Sequence, residues 1–204
     1  MMYDHERQER KDDREIVHQV MPKPMLQYGK HMYSYLESRE LDYELAVSNG
    51  WYPTVGKGPR IVIPCVNSYG FNYWQARAML AHPIRYDSPA IPRKDSIVFL
   101  WPKIRKAGGT VIITEGPMDA LAAAEFAPAI AIMGGSPSDE VLDFIVKHTN
   151  QLGLFHWVLV PDNDNLAFTS KFIARKEHFT LFTPSGKDLA GMPRWEREKL
   201  LGRL

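Results

Sequence analysis

Apolar and aromatic side chains at Tyr28, Met32, Tyr35 and Leu36 recur at spacings of three and four within residues 25–40, the period of one helix face. Asp42 stands where an N-cap belongs for a second short helix over 43–48, which Asn49-Gly50 closes. The period then drops to two. Residues 60–66 are rich in β-formers, and Asn67-Ser68-Tyr69-Gly70 reads as a turn. Across 71–79, Phe71, Tyr73, Gln75 and Arg77 share one face, while Asn72, Trp74, Ala76 and Ala78 share the other. This pattern predicts a hairpin in a small antiparallel sheet. Residues 84–87 add a strand before Ser88-Pro89 ends it.

After Gly108-Gly109 strands and helices alternate. Strands are predicted at 110–114, 129–133, 156–160 and 179–182. Helices are predicted between them at 117–126, 138–148 and 168–177. Pro117 suits a first helical turn, and Ser136-x-x-Asp139 resembles a capping box. Strands separated by helices imply a mostly parallel sheet with right-handed crossovers. The fold class expected is therefore α/β, or α+β overall: a parallel sheet flanked by helices, preceded by a smaller helical and antiparallel part.

Composition narrows the classes. The 204 residues include 25 Lys+Arg against 24 Asp+Glu, a net charge of +1, so any nucleic-acid binding must come from a local patch. The single cysteine, Cys65, excludes an internal disulfide framework and a cysteine-built zinc ribbon. No apolar run approaches the ~20 residues of a membrane helix. Residues 1–24 are dense in alternating charge and end in Met21-Pro22-Lys23-Pro24, which reads as a charged, solvated leader and matches no secretory signal. A soluble cytoplasmic protein without a membrane partner is expected.

The carboxylates carry the chemistry. In open α/β sheets ligands bind beyond the carboxyl ends of the strands. Glu115 directly follows the first strand of this half, and Asp119 lies on the first turn of the next helix. Asp162 and Asp164 follow the third strand, and Asp188 follows the fourth. A lone Glu-Gly or Asp-x-Asp is ordinarily a turn or a cap. Five acids from three distant segments on one sheet edge are a stronger signal, because such a cluster must take up protons or hold a cation. Oxygen-only donors favour Mg²⁺ or Mn²⁺. Magnesium leaves positions for water and phosphate oxygens, as phosphoryl or nucleotidyl transfer requires.

These residues resemble a known family. Glu115-Gly116-Pro117-Met118-Asp119-Ala120-Leu121-Ala122, then Asp162-Asn163-Asp164, then Lys187-Asp188 resemble the Toprim domain of bacterial-type primases, topoisomerases and some nucleases. Upstream, Tyr35-Leu36-Glu37-Ser38-Arg39-Glu40-Leu41 resembles the helix opening the primase catalytic core. Arg60-Ile61-Val62-Ile63-Pro64 with residues 71–78 resembles its basic hairpin subdomain, and Arg85-Tyr86-Asp87-Ser88-Pro89 the segment before Toprim. The resemblance spans residues 33–192 and divides the chain into a leader (1–24), a basic subdomain (25–107) and a Toprim metal-binding domain (108–204).

The resemblance implies a DNA primase of the bacterial or phage type. Such an enzyme makes short RNA primers on a single-stranded DNA template from nucleoside triphosphates, with Mg²⁺ or Mn²⁺. It assigns Glu115, Asp162 and Asp164 to catalysis, and Glu115, Asp119, Asp162, Asp164 and Asp188 to the metal. Arg60, Arg77, Arg85, Lys94 and Lys187 would hold template or triphosphate, with Tyr73 and Trp74 as candidates for base stacking. Family primases usually add a zinc ribbon and a helicase-interacting region. Their absence implies a compact phage- or plasmid-type core, a catalytic subunit helped by a separate zinc-ribbon protein or replicative helicase, or a divergent derivative. The alternatives are a Toprim nuclease or RNA-maturation enzyme, a non-catalytic single-stranded-DNA adaptor and, less favoured, a topoisomerase.

Overall fold

The computed structural model describes residues 21–66, 73–89, 96–103, 109–134, 136–162, 166–175, 179–184 and 188–204. Helix α1 (Gly29–Glu37) follows a 3-10 turn at Leu26–Tyr28 and turns Met32 and Leu36, one helical repeat apart, into the core. Helix α2 (Tyr43–Ser48) begins as the sequence indicates, the Asp42 carboxylate accepting the Leu45 N–H at 2.9 Å. Gly50 at φ +80° follows the end of that helix, a conformation glycine adopts without strain.

Four strands build an antiparallel sheet in the order β1 (Tyr52–Gly56), β2 (Gly58–Cys65), β3 (Tyr73–Ala78), β4 (Tyr86–Asp87). The β2–β3 pairing is the expected hairpin, with Ile61 opposite Arg77 and Ile63 opposite Gln75. Strand β1 is not among the expected elements. Its Pro53 speaks against a strand, but an edge position tolerates proline's missing N–H.

The second sheet runs β5–β7–β6–β8–β9, from β5 (Val98–Leu100), β6 (Thr110–Thr114), β7 (Ala129–Ala131), β8 (His156–Val160) and β9 (Phe179–Leu181). Strands β7, β6, β8 and β9 are parallel, while β5 lies antiparallel on β7. Thus a strand from ahead of the expected 107/108 boundary belongs to the second sheet. Three residues with no alternation leave no sequence signal for it.

Helices α3 (Pro117–Ala123), α4 (Asp139–Gln151), α5 (Leu166–Ile173) and α6 (Arg194–Leu201) complete the described elements. The cap of α4 is Ser138, whose hydroxyl accepts the Val141 N–H at 3.3 Å; the Ser136 box starts two residues too early. Helix α6 has no counterpart in the sequence-based expectations.

Alternation along the central strands splits the core into two layers. Val111, Ile113, Trp157 and Leu159 pack with Leu142 and Ile145 of α4 and Phe168 and Phe172 of α5. On the other face Ile112, Val158 and Val160 join α3, α1 and the antiparallel sheet in one continuous cluster. Ala120, Ala122, Ala123 and Ala124 are fully buried, so small side chains bring α3 close to the sheet. Each fully buried Ile, Val or Leu contributes roughly 1.5–3 kcal/mol. Because that cluster includes residues of both sheets, it holds the antiparallel part over the parallel one.

Candidate active site

Strand β6 has β7 on one side and β8 on the other, so the crossovers that follow β6 and β8 run in opposite directions along the sheet. Such a switch point opens a crevice. Glu115 sits there, 8% exposed, and its Oε1 accepts the backbone N–H of Asp162 at 3.0 Å. Behind it, Thr114 Oγ1 lies 3.1 Å from the Gly116 carbonyl oxygen and 3.3 Å from that of Ile130, which pins the turn.

Gly116 is the N-cap of α3, with Pro117 entering the first turn. Asp119 folds back toward that cap: a Cβ on Gly116 would stand 2.7 Å from Asp119 Oδ2. The other oxygen, Oδ1, accepts the Ala190 N–H at 2.8 Å, and Ala190 belongs to the 3-10 turn Leu189–Gly191 that Asp188 initiates. Four of the five expected acids are therefore brought together: Glu115, Asp119, Asp162 and Asp188. Asp164 lies outside the described residues.

The cost of assembling them is electrostatic. Burial pushes the Asp119 carboxyl up to about 7; the Ala190 N–H pulls it back, and the charges of Asp188 and Asp162 add to the rise. Burial likewise raises Asp162 to about 6, reinforced by Glu115 and Asp188. A divalent cation relieves this repulsion. Among the described residues no group of three or more acids, histidines or cysteines is placed to hold a metal ion. Magnesium does not need one, since it typically takes one or two carboxylates and completes its shell with water and phosphate. Glu115 and Asp162, on the crevice, fit an open, oxygen-donor Mg²⁺ or Mn²⁺ site.

A cavity of about 350 Å³ lies over these acids, lined by Gln75, Tyr86, Ser88, Glu115, Met133 and Asp162 among others. Part of its lining thus comes from β3, β4 and the residue after β4. Gln75, Met133 and Gly134 were not among the expected site residues. The available signal for Gln75 was its place on the same strand face as Tyr73 and Arg77.

The basic positions separate. Arg60 is 1% exposed, its Nη1 donating to the Ala76 carbonyl at 3.0 Å and its Nη2 to the Ile84 carbonyl at 3.0 Å. The guanidinium fork braces the sheet against the turn before β4. Arg77 is also buried. Its Nε donates to the Tyr35 hydroxyl at 2.9 Å, and its guanidinium stacks 4.8 Å from the centre of the Tyr86 ring. Tyr86 itself is driven up to about 12, chiefly by burial, with Arg77 opposing and Asp119 reinforcing. Arg85 is exposed. Lys94 and Lys187 lie outside the described residues, as do residues 1–20 and the Asn67–Gly70 turn. Tyr73, a candidate for stacking bases, is core at 3% exposure. Trp74 is half-buried.

No protein-family model matches the sequence, and no curated protein matches it. Solved structures do. One is the DnaG primase catalytic domain bound to single-stranded DNA, with a TM-score of 0.56 at 15% identity over 89% of this chain and 73% of that one. Another is the DnaG catalytic core, with a TM-score of 0.54 at 17% identity over 81% of this chain and 69% of that one. The architecture of this chain, an antiparallel sheet followed by a mixed, mostly parallel sheet with helices, is like that of the DnaG catalytic core. The chain has the fold of the DnaG primase catalytic core.

Proposed function

We propose that this chain is a primase-type nucleotidyltransferase that joins ribonucleotides on a single-stranded DNA template. The observation that carries the reading is the Glu115–Asp162 contact at the β6/β8 switch point, beneath a cavity walled by the antiparallel sheet. A static fold-stabilising role would be served by apolar residues at this edge, without the burial and neighbouring charge that raise Asp119 and Asp162.

In this reading Asp162, with Asp164, offers carboxylate oxygens to the metal. Glu115 fixes the backbone from which those oxygens project. Asp119 and Asp188 set the local charge from behind, and Asp119 ties α3 to the segment after β9 through Ala190. A bound Mg²⁺ or Mn²⁺ supplies charge neutralisation at the transferring phosphate and acidifies the attacking hydroxyl. The exposed Arg85, with Lys94 and Lys187, serves nucleic-acid or triphosphate oxygens. Template DNA and nucleoside triphosphates are the partners; a replicative helicase or a separate zinc-ribbon protein is a further one.

The test is incorporation of labelled ribonucleotides on single-stranded DNA with Mg²⁺ or Mn²⁺. Products a few nucleotides long that vanish in Asp162→Ala and Glu115→Gln are expected. Degradation of the template without incorporation would instead indicate a nuclease, and metal-independent DNA binding with neither activity an adaptor.

A further inference from the structure

The inner face of the antiparallel sheet is apolar or internally partnered at every described position but one. Ile61, Ile63 and Cys65 of β2 stand opposite Arg77, Gln75 and Tyr73 of β3. Ile61, Ile63, Cys65 and Tyr73 belong to the core, where Cys65 Sγ meets Met133 Sδ at 3.3 Å. Arg77 is held between Tyr35 and Tyr86. Gln75, between Tyr73 and Arg77, is 5% exposed, yet its carboxamide has no hydrogen-bond partner among the described residues. It lines the same cavity as Glu115 and Asp162, from the antiparallel sheet. Gln75 is not among the residues whose polar atoms are sealed from solvent, so its unpartnered carboxamide opens onto the cavity. Leucine or methionine would fill so buried a position without a polar group that needs a partner there.

The chemistry of an occupant of the cavity follows from its lining. The carboxylates take the metal and the reacting phosphate, and the sugar is one ester link from that phosphate. A polar group elsewhere on the lining of the same cavity is a candidate to meet the sugar. A ribose 2′-hydroxyl both donates and accepts, and a carboxamide offers both complements. Glutamate at position 75 would repel Glu115 and Asp162, and lysine or arginine would compete with the metal for them. A neutral amide does neither.

We propose that Gln75 is the sugar-reading residue of this site, its carboxamide hydrogen-bonding the 2′-hydroxyl of a nucleotide in the cavity and so favouring ribo- over deoxyribonucleotides. The assignment rests on the nucleotidyl-transfer reading of the site.

Binding of ATP, dATP, GTP and dGTP in Mg²⁺, measured by calorimetry on the full chain, tests it without requiring turnover. The intact protein is expected to bind the ribo forms about 10- to 100-fold more tightly than the deoxy forms. Gln75→Met, close in length and volume, should bring ribonucleotide affinity down to the deoxyribonucleotide level and leave deoxyribonucleotide affinity unchanged. Gln75→Asn, which withdraws the amide by one methylene, should reduce the ratio and is the second variant should the first unfold. Equal losses for both sugars, losses that follow the base, an unchanged ratio, or no sugar preference or nucleotide binding in the intact protein would each overturn the proposal. Sugar-selective binding that Gln75→Met abolishes, in a chain that incorporates no ribonucleotide, upholds Gln75 and removes the priming reading. Priming with an unchanged ratio in Gln75→Met does the reverse.

Discussion

Asp119 Oδ1 accepts the backbone N–H of Ala190 at 2.8 Å, which locks the first turn of α3 to the segment that carries Asp188, 71 residues further along the chain. One buried carboxyl thus stitches together two of the loops from which the acidic crevice is made. Its protonation consequently couples stability to pH and to metal.

Folding raises the Asp119 pKa from 3.8 to about 7, so the folded chain keeps a proton that the unfolded chain releases. The stability this contributes is full below the unfolded value and is lost as pH rises through about 7. Thermal melts in chelator should therefore show the unfolding temperature falling from about pH 5 to about pH 8. Magnesium should restore more stability at the upper end than at the lower, because there it meets charged carboxylates. Asp119→Asn should flatten the profile in chelator. A melting temperature that rises across that range, or a slope untouched by the substitution, would count against the buried-acid account.

Gly116 has to lack a side chain for the acid behind it to reach Ala190. Its own φ is −105°, so alanine is acceptable to the backbone, and the obstacle is Asp119 Oδ2 at 2.7 Å. Gly116→Ala is expected to rotate the carboxylate away and break the bond to Ala190, costing about 1–3 kcal/mol. Chemical denaturation reads the loss. Incorporation by the still-folded fraction should fall as well, whereas an intact melting point would mean that Asp119 has room to spare.

Arg60 separates structure from ligand binding. Removing a buried guanidinium that satisfies the Ala76 and Ile84 carbonyls should destabilise the chain by about 2–4 kcal/mol in Arg60→Met. A phosphate ligand behaves differently, since its loss lowers the dependence of DNA affinity on salt by about one unit of slope. The expected result is a lower unfolding midpoint with the salt slope unchanged in folded protein. For the exposed Arg85, Arg85→Ala should give the opposite pair of outcomes.

Tyr35→Phe deletes the hydroxyl that accepts the Arg77 Nε–H and keeps the ring. The guanidinium then relies on Tyr86 for its placement, and a loss of about 1–3 kcal/mol is expected. Because Tyr86 lines the cavity, nucleotide affinity should weaken in the same variant, measured at a temperature where it is fully folded. Unaltered affinity would disconnect α1 from the site.

Legibility differed from element to element for identifiable reasons. The α2 cap was readable because Asp42 bonds three residues away, and the β2–β3 face because alternation is local. Strand β5 was not, since three residues gain their strand character from lying against β7. The burial of Arg60 was not legible for a related reason. A basic residue beside a β-rich run looks solvent-facing, and the carbonyls that hold it come from Ala76 and Ile84, 16 and 24 residues away.

On its own, the order of residues determined the alternation of strands and helices in the second half and placed Glu115, Asp119, Asp162 and Asp188 after strands or on the turn that follows. Parallel pairing then requires those ends to share an edge. What only the tertiary structure decided is what faces that edge. The antiparallel sheet is set over the acids by a shared apolar core whose contacts join residues far apart in the chain. That packing buries Arg60 and Tyr73, and it brings Gln75 and Tyr86 to the cavity wall. Periodicity reports which side of a strand is buried, and long-range packing selects the neighbour it is buried against.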